Sequence, residues 1–475
     1  MEQIHVVLHP APLQGHIKPM LCLAQLLSKA GFHATFLVTH HTFKLLPDLT
    51  ALSANFPNLH FQSISDGLPE DHSRALEFGS FSKIKPYFKH FLLNYSLGDN
   101  SMSPPLTCII TDQYLPYTLD TAKELGIPIF SFVSHSACYL LAYLNISKLI
   151  EQGDHIPFPD DNMNQEINGV AGLEGLLRRK HLPSYCALKD IAQNPQIQSH
   201  LKDIFDLKGC CGLIINTFDE LEITILPQVA THFQKVYKVG PLHALSNSKI
   251  NQNLSHLVAS HASRWQADQS CIAWLDSQPL RSVLYVSFGS HAKASVSQIL
   301  EFWHGLVNSG KPFLWVLRPD VIIGEDGKHV IPKELHQVGA KENGFLVDWA
   351  PQEHVLAHHA IGGFLTHCGW NSILESIVAK IPLICWSYDW DQMINAELVS
   401  KVLEIGLQLD ACDRLTIQRT VQTMMGSKRE ELQNSIERIS ECAQHVIGNG
   451  GSSNQNLETL VEDIKNIKLN SQHDE

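Results

Sequence analysis

The sequence lacks any long apolar run. No stretch approaches the roughly 18–20 uninterrupted apolar residues that a membrane-spanning helix needs. Met1, Glu2 and Gln3 carry no positive charge, and the apolar segment after them stops at Pro10 and Pro12, which is not the pattern of a secretory signal peptide. We therefore expect a cytoplasmic protein without a membrane span.

The chain also lacks an excess of basic residues and a disulfide pattern. Lys and Arg number 35 against 48 Asp and Glu, a net charge of −13, which argues against nucleic acid as a partner because phosphates need a concentrated basic face. The 11 cysteines are odd in number and include no C-x-x-C pair, so we expect buried free thiols in a reducing compartment. The 475 residues suffice for about two or three domains.

Several familiar motifs are missing or defective. The sequence contains neither the G-x-G-x-x-G of nicotinamide-binding folds nor the G-x-S-x-G of serine hydrolases. Residues 305–312 nearly match a phosphate-binding loop, but Pro312 replaces the required Ser or Thr, so we interpret the segment as a helix end. Asp389 and Asp391 form a weak D-x-D pattern, and His354 and His358 lack further ligands nearby, so we predict no metal site.

What the sequence does contain is a regular alternation of short apolar segments with segments of helical spacing. This alternation predicts an α/β fold with parallel sheets and helices on both faces. Helices are predicted at 17–27, 116–125 and 296–307 and from about 428. Strands are predicted at 4–8, 34–38, 108–110, 129–133, 283–288, 313–317, 345–347, 363–366 and 383–385.

The alternation is interrupted once, in a stretch rich in Asn, Ser and His. We interpret the chain as two doubly wound halves that face each other across a cleft, where ligands of such sheets bind beyond the carboxyl ends of the strands. The predicted parts are an N-terminal domain at 1–245, a linker at 246–265, a C-terminal domain at 266–450 and a C-terminal tail at 451–475 that is able to pack back on the N-terminal domain.

The chemistry is concentrated between residues 349 and 392. There His367-Cys-Gly-Trp-Asn-Ser follows a predicted strand and opens a predicted helix, whose N-terminus is suited to bind an anion. Glu375, one turn further on, could accept hydrogen bonds from a ribose, and Trp349 offers a flat surface for a base. Together these residues suit a nucleoside diphosphate, although a buried helix with a capped start would explain part of the pattern.

The 44 residues from Trp349 to Gln392 resemble the signature box of plant family 1 UDP-dependent glycosyltransferases. The segments 10–19 and 287–290 resemble two further parts of that family, so the resemblance extends over essentially the whole chain. It implies a GT-B fold with two Rossmann-like domains, an N-terminal acceptor domain, a C-terminal donor domain that takes UDP-glucose as a substrate, and no metal or other cofactor.

The resemblance also implies roles for individual residues. His16 would be the general base and Asp112 its partner. The remaining roles are UDP binding by Gly15, Ser290, Trp349, Ala350, Gln352, His367, Asn371, Ser372 and Glu375, and contact with the sugar by Ser134, Trp370, Asp391 and Gln392. The Gln at the end of the box resembles the residue found there in family members that use glucose. Departures from the family are Lys380 where Gly is usual, Ile373 where Thr is common, and the pair Asp389-Trp390.

The implied reaction is transfer of glucose with inversion to a hydroxyl or carboxyl group of a small lipophilic plant metabolite, such as a terpenoid or a phenolic, by a monomer. Aromatic residues at 80–95, 114–117 and 135–143 suggest an apolar acceptor pocket, although each is individually as well explained as core. Arg178-Arg179-Lys180 could meet a carboxylate or form a solvated face. Alternatives are another UDP-sugar donor and a non-catalytic nucleotide-sugar binder; an animal-type glucuronosyltransferase is disfavoured.

Overall fold

The computed structural model divides the chain into two compact units. The first comprises residues 1–264 and 446–475, and the second comprises residues 265–445. The structure describes residues 3–46, 50–70, 72, 80–96, 104–153, 156, 162–191, 193–250, 267–290, 293–318, 320–323, 332, 335, 344–388 and 390–471. In this part of the chain no helix combines the length and the apolar character needed to cross a membrane.

A seven-stranded parallel sheet in the order β3-β2-β1-β4-β5-β6-β7 forms the centre of the first unit. Every residue of β1, β2 and β5 is buried, as expected for parallel strands covered by helices on both faces. The strands are β1 His5–His9, β2 His33–Thr39, β3 Leu59–Ile64, β4 Leu106–Asp112, β5 Ile129–Val133, β6 Gly212–Ile215 and β7 Val236–Lys238.

In the described part of the first unit, ten α-helices precede the second unit in the chain. They are α1 Gln14–Lys29, α2 His40–Leu45, α3 Thr50–Asn55, α4 Lys85–Ser96, α5 Tyr117–Leu125, α6 Ala137–Leu144, α7 Ile146–Gln152, α8 Pro195–Asp206, α9 Leu226–Ala230 and α10 Leu242–Lys249. The predicted linker at 246–265 therefore begins inside α10, and its residues 251–265 lie outside the described part of the chain. The Asn and Ser residues that suggested a loop there are tolerated because α10 packs against α1 through Leu242 and Leu245.

The second unit contains a six-stranded parallel sheet in the order β12-β10-β8-β13-β14-β15. Its strands are β8 Val283–Ser287, β10 Phe313–Val316, β12 Gly344–Val347, β13 Ile361–Thr366, β14 Leu383–Cys385 and β15 Gly406–Gln408, and a separate short ladder pairs β9 Ala294–Ser295 with β11 Ile322–Ile323. The helices are α11 Ser270–Asp276, α12 Val296–Ser309, α13 Gln352–Leu356, α14 Trp370–Ala379, α15 Gln392–Glu397, α16 Arg414–Met424 and α17 Arg429–Ile447.

The chain ends in a helix rather than in the polar tail expected from residue 451. This helix, α18 Ser452–Ser471, buries Leu457, Leu460 and Ile464 in the core of the first unit. Asp463 also accepts a hydrogen bond from Tyr237 at 2.6 Å. Polar residues dominate the composition of this segment, whereas the apolar residues that direct its packing recur at helical spacing.

Candidate functional site

Three predicted site residues meet at the edge of the first sheet. His16 lies in the first turn of α1, Asp112 ends β4 and Ser134 follows β5. Strand β4 pairs with both β1 and β5, so the segments after these three strands lie side by side. The carboxyl ends of parallel strands are where open α/β sheets carry their sites.

Among the described residues, the imidazole of His16 is hydrogen-bonded through Nδ1 and not through Nε2. Its Nδ1 lies 2.7 Å from Asp112 Oδ2 and 2.9 Å from Ser134 Oγ. Because a carboxylate only accepts hydrogen bonds, Nδ1 carries the proton and Nε2 keeps its lone pair. In the described part of the chain Nε2 has no hydrogen-bond partner, so this nitrogen is able to take a proton from a bound molecule.

The carboxylate that orients His16 is itself fixed. Asp112 is 1% exposed, and its Oδ1 accepts a hydrogen bond from the backbone N–H of Tyr114 at 3.0 Å. The ring of Tyr114 lies 5.1 Å from the ring of His16. Asp112 therefore cannot turn away from the imidazole without losing a backbone hydrogen bond.

A second buried carboxylate, Glu222, supports the segment that carries Ser134. It accepts hydrogen bonds from the backbone N–H groups of Ala137 and Cys138, at 3.0 and 2.7 Å, and from the hydroxyl of Thr217 at 2.7 Å. These bonds fix the start of α6 directly after Ser134. Burial raises the pKa of Glu222 to about 7, against the opposing effect of its three hydrogen bonds. Sequence reasoning missed Glu222, because one acid among apolar residues shows no sign of its partners.

Two further histidines near this site are buried and neutral. Burial lowers the pKa of His9 and of His135 to about 4. His9 contacts the carbonyl of Leu37 at 2.8 Å and the hydroxyl of Tyr117 at 2.9 Å. These rings therefore act as neutral hydrogen-bonding groups in the core.

The aromatic residues suggested for an acceptor pocket separate in the structure. Phe88, Tyr139 and Tyr143 are buried in the core, whereas Tyr87 is 42% exposed. The ring of Tyr114 packs near the ring of His16, with 5.1 Å between the ring centroids. The interpretation of 178–180 as a solvated face is wrong for Arg179, which is only 1% exposed.

In the second unit, the loop 367–369 connects β13 to α14. The N-cap residue of α14 is Gly369, so its N-cap has no side chain that could accept the first N–H groups of the helix. Cys368 adopts a left-handed conformation with φ +67°. The start of α14 thus provides the positive end of a helix dipole, as the sequence predicted, together with Asn371 and Ser372 in its first turn.

His367 fills the space that two glycines leave open. A Cβ atom on Gly289 would lie 2.5 Å from the imidazole of His367, and a Cβ atom on Gly369 would lie 2.5 Å from its Nε2. Both glycines are therefore needed for the ring to occupy this position. The sequence motif alone gave no indication of this packing.

Three residues predicted to bind UDP are joined by hydrogen bonds. The amide nitrogen of Gln352 donates to Ser372 Oγ at 3.1 Å and to Glu375 Oε2 at 2.7 Å. Tyr285, which sequence reasoning missed, donates its hydroxyl to Gln352 Oε1 at 3.3 Å. Trp349 is partly buried and Ala350 is buried, both directly before α13.

The loop after β8 is anchored by a buried arginine. Arg318 is 3% exposed and donates to the carbonyl of Ser290 at 2.7 Å. It also forms an ion pair with Asp320 at 2.9 Å. Sequence reasoning missed Arg318, which fixes the backbone of a predicted UDP-binding residue from the neighbouring strand β10.

The predicted sugar-binding residues lie at the start of α15. Gln392 Oε1 accepts a hydrogen bond from the backbone N–H of Tyr388 at 2.9 Å, and Asp391 Oδ2 accepts one from Asn395 at 2.7 Å. Trp390 is 43% exposed and has φ +57°, a conformation unusual for a bulky residue. The third predicted sugar contact in this unit, Trp370 at the start of α14, is 2% exposed.

Of the residues considered as metal ligands, one pairs with a carboxylate and another lies outside the described residues. His358 contacts Asp276 at 3.1 Å, and Asp389 lies outside the described residues. Within the described ranges, no group of three or more His, Cys, Asp or Glu residues is arranged to hold a metal ion.

Comparisons with known proteins agree on one family. The family model described as UDP-glucoronosyl and UDP-glucosyl transferase matches residues 233–431. A 7-deoxyloganetic acid glucosyltransferase of Catharanthus roseus is 43% identical over 98% of both chains, and Mogroside I-A1 synthase of Siraitia grosvenorii is 43% identical over all of this chain and 90% of its own length. The crystal structure of Os79 from O. sativa in complex with UDP matches with a TM-score of 0.81 and 25% identity over 97% of this chain and 100% of its own.

Proposed function

This chain belongs to the plant family 1 UDP-dependent glycosyltransferases, an enzyme family with the GT-B fold, and from that membership we propose that it transfers glucose from UDP-glucose to a small lipophilic plant metabolite. The acceptor is a terpenoid or a phenolic, and the group that receives glucose is a hydroxyl or a carboxyl. The Catharanthus roseus relative is named for an acid acceptor, so a small organic acid belongs in the acceptor panel.

The observation that carries this proposal is the pairing of His16 with the buried Asp112 at 2.7 Å, which leaves Nε2 without a partner among the described residues. Nε2 removes the proton from the acceptor hydroxyl while that oxygen attacks C1 of the glucose. Asp112 keeps the proton on Nδ1 and stabilises the imidazolium that forms. For a carboxyl acceptor that is already ionised, no proton has to be removed.

The bond between C1 and the UDP oxygen breaks as the new glycosidic bond forms on the opposite face, so the configuration inverts and the product is a β-glucoside. The start of α14, His367, Asn371 and Ser372 stabilise the negative charge that grows on the diphosphate. Loss of one such donor costs roughly 2–4 kcal/mol in the barrier. No step in this scheme requires a metal.

In the same proposal, the nucleoside of UDP is bound by the residues around α13. Trp349 stacks on uracil, the Ala350 backbone reads its edge, Gln352 and Glu375 bind the ribose, Ser290 binds the diphosphate, and Gly15 is a further UDP contact. The sugar hydroxyls are bound by Trp370, Asp391 and Gln392. Ser134, whose Oγ lies 2.9 Å from His16 Nδ1, is proposed to contact the sugar as well.

We expect His16→Ala to lower kcat for an alcohol acceptor by about 10²–10⁴-fold, because general base catalysis contributes that much. UDP binding, measured by calorimetry, remains close to that of the wild type. The control is His445→Ala, which removes an exposed histidine on α17 and leaves both quantities unchanged. Mass detection with a panel of terpenoid and phenolic acceptors measures transfer and identifies the acceptor class.

Three outcomes would contradict parts of this proposal. Transfer by His16→Ala at the rate of the wild type would reject the assigned base. Loss of wild-type transfer on addition of excess EDTA would require a metal. UDP-glucose binding by the wild type without transfer to any acceptor would favour the non-catalytic nucleotide-sugar binder.

A further inference from the structure

Asn395 is a fully buried polar residue on α15 that joins two separate segments of the second unit. Its side chain is 0% exposed, and its amide nitrogen donates to the carbonyl oxygen of Cys368 at 3.0 Å and to Asp391 Oδ2 at 2.7 Å. An amide group has two N–H bonds, so each of these acceptors has its own hydrogen.

The two acceptors belong to different parts of the proposed donor site. Cys368 lies between His367 and the start of α14, in the loop proposed to bind the diphosphate. Asp391 is proposed to bind the hydroxyls of the sugar. We call residues 367–369 the diphosphate loop and residues 388–392 the sugar-binding turn. We propose that Asn395 is a positioning residue that holds these two segments in one relative geometry, and that recognition of the sugar depends on it. This inference rests on the proposed function.

The diphosphate loop needs such support because Cys368 is in the left-handed region at φ +67°. This conformation is unfavourable for a residue with a Cβ atom, so other contacts have to maintain it. The backbone N–H of Cys368 donates to Thr366 Oγ1 at 3.3 Å, and its carbonyl accepts from Asn395. Without Asn395 the buried carbonyl loses this hydrogen bond, and the peptide that precedes Gly369 is free to rotate.

Hydrogen bonds within the sugar-binding turn and the start of α15 hold these residues to one another. The backbone N–H of Tyr388 donates to Gln392 Oε1 at 2.9 Å, and the backbone N–H of Asn395 donates to the carbonyl of Asp391 at 2.9 Å. The side chain of Asn395, on α15, bonds to Asp391 and to the carbonyl of Cys368 in the diphosphate loop. This buried amide therefore transmits a shift at either segment to the other.

The test compares Asn395→Ala with Asn395→Asp. The aspartate has the size of the asparagine, so it leaves no cavity. Its second oxygen replaces the amide nitrogen and faces the carbonyl oxygen of Cys368 and the carboxylate of Asp391, so both hydrogen bonds are lost. The matched control is Asn216→Ala, which removes a different buried asparagine, one that accepts the backbone N–H of Leu242 at 2.9 Å in the first unit. Urea unfolding of each variant measures its stability.

We expect both Asn395 variants to weaken UDP-glucose binding by about 10–100-fold, because hydrogen bonds to charged groups contribute that much. Binding is measured by calorimetry without an acceptor, so the result does not depend on catalysis. The ratio of kcat/KM for UDP-glucose over UDP-galactose falls as well, because Asp391 is no longer held against the sugar. A change in stability alone would leave this ratio at its wild-type value, as we expect for Asn216→Ala.

A double-mutant cycle with Asp391→Ala tests the coupling itself. If Asn395 acts through Asp391, the loss of UDP-glucose affinity in the double variant is smaller than the product of the two single losses. Folded Asn395 variants that bind UDP-glucose within twofold of the wild type and keep its donor ratio would overturn the inference. If Asn395→Ala does not fold, Asn395→Asp decides the outcome. A wild-type chain that binds UDP-glucose but transfers nothing would contradict the proposed function and leave the binding comparison valid.

Discussion

At the scale of single residues, the position of His367 depends on the absence of two side chains. Its ring occupies the volume that a Cβ atom on Gly289 or on Gly369 would need. Of these two glycines, Gly369 has an ordinary backbone conformation, with φ −61° and ψ 138°. A substitution there displaces the ring without adding backbone strain, which separates the function of His367 from the stability of the loop.

We expect Gly369→Ala to lower the affinity for UDP by about 10-fold or more, because the displaced imidazole no longer donates to a phosphate oxygen. Calorimetric titration with UDP measures the effect, and urea unfolding shows whether the fold is retained. In the control, Gly209→Ala, the new Cβ atom has no atom within 4 Å, so UDP affinity should not change. Wild-type UDP affinity in Gly369→Ala would show that His367 does not contribute to binding.

The residues around His16 show the same dependence on neighbours. His16 and Asp112 are 96 positions apart, and Ser134 is 118 positions from His16, yet all three lie within one hydrogen-bonded group. The resemblance to a family led to His16 and Asp112. Nothing in the sequence led to Glu222 or to the contact between Ser134 and the imidazole, since these depend on which strands are adjacent in the sheet.

At the scale of elements, α14 begins and ends with backbone conformations that are costly for residues with side chains. Cys368 precedes it at φ +67°, and Lys380 ends it at φ +62° and ψ 37°. Lys380 occupies a helix-ending position that favours glycine, which explains physically why glycine is usual there in the family. The amide nitrogen of Gln433 donates to the carbonyl of Lys380 at 3.2 Å.

We expect Lys380→Gly to stabilise the protein by about 1 kcal/mol, because glycine adopts the left-handed conformation without the steric penalty of a Cβ atom. In a unit of this size the melting temperature should rise by roughly 2–4 °C. The matched control is Lys380→Ala, which removes the charge and the long side chain but keeps the penalty, and should therefore give no such increase. Equal melting temperatures for the two variants would reject strain at Lys380.

The last element of the chain illustrates how composition conceals packing. Helix α18 is largely polar, yet Leu460 is fully buried and Ser453 donates to the carbonyl of Gly240 at 2.6 Å. The strands β6 and β7 were also missed from the sequence, because β6 begins at a glycine and β7 ends in a lysine, so neither stood out as an apolar segment. By contrast, β5 and β14 were predicted with the bounds that they have in the structure, since both are short apolar segments between clear interruptions.

At the scale of the whole molecule, among the described residues burial lowers the pKa of more histidines than the number of carboxyl groups whose pKa it raises. Burial lowers the pKa of four histidines to about 4: His5, His9, His33 and His135. Between pH 6.5 and 4 the unfolded chain protonates these histidines while the folded chain keeps them neutral. Their contribution to stability is therefore complete above pH 6.5 and is lost as the pH falls through this range.

Two carboxyl groups act in the opposite direction. Burial raises the pKa of Glu222 to about 7 and the pKa of Asp203 to about 6, so the folded chain keeps protons that the unfolded chain has released. Their contribution to stability is lost as the pH rises towards these values. Because the four histidines outnumber the two carboxyl groups, the unfolded chain binds more protons than the folded chain between pH 7 and pH 5.

We therefore expect the urea midpoint of unfolding to fall steadily as the pH is lowered from 7 to 5. The variant His5→Gln should show a shallower fall than the wild type, because the unfolded chain then takes up one proton fewer. A control with an exposed histidine, His445→Gln, should keep the wild-type slope. A midpoint that is constant or rises towards pH 5 would show that the buried histidines are not neutral in the folded state.

The sequence by itself determined the α/β alternation of both sheets, the helix start that follows β13, and membership of a glycosyltransferase family. These properties depend on residues that are neighbours in the chain, so local patterns record them. Only the tertiary structure decided that Glu222 supports the start of α6, that two glycines make room for His367, and that Asn395 joins Cys368 to Asp391. Each of these arrangements includes a contact between residues that are distant in sequence, and the order of strands in a sheet, which no local pattern records, brings such residues together.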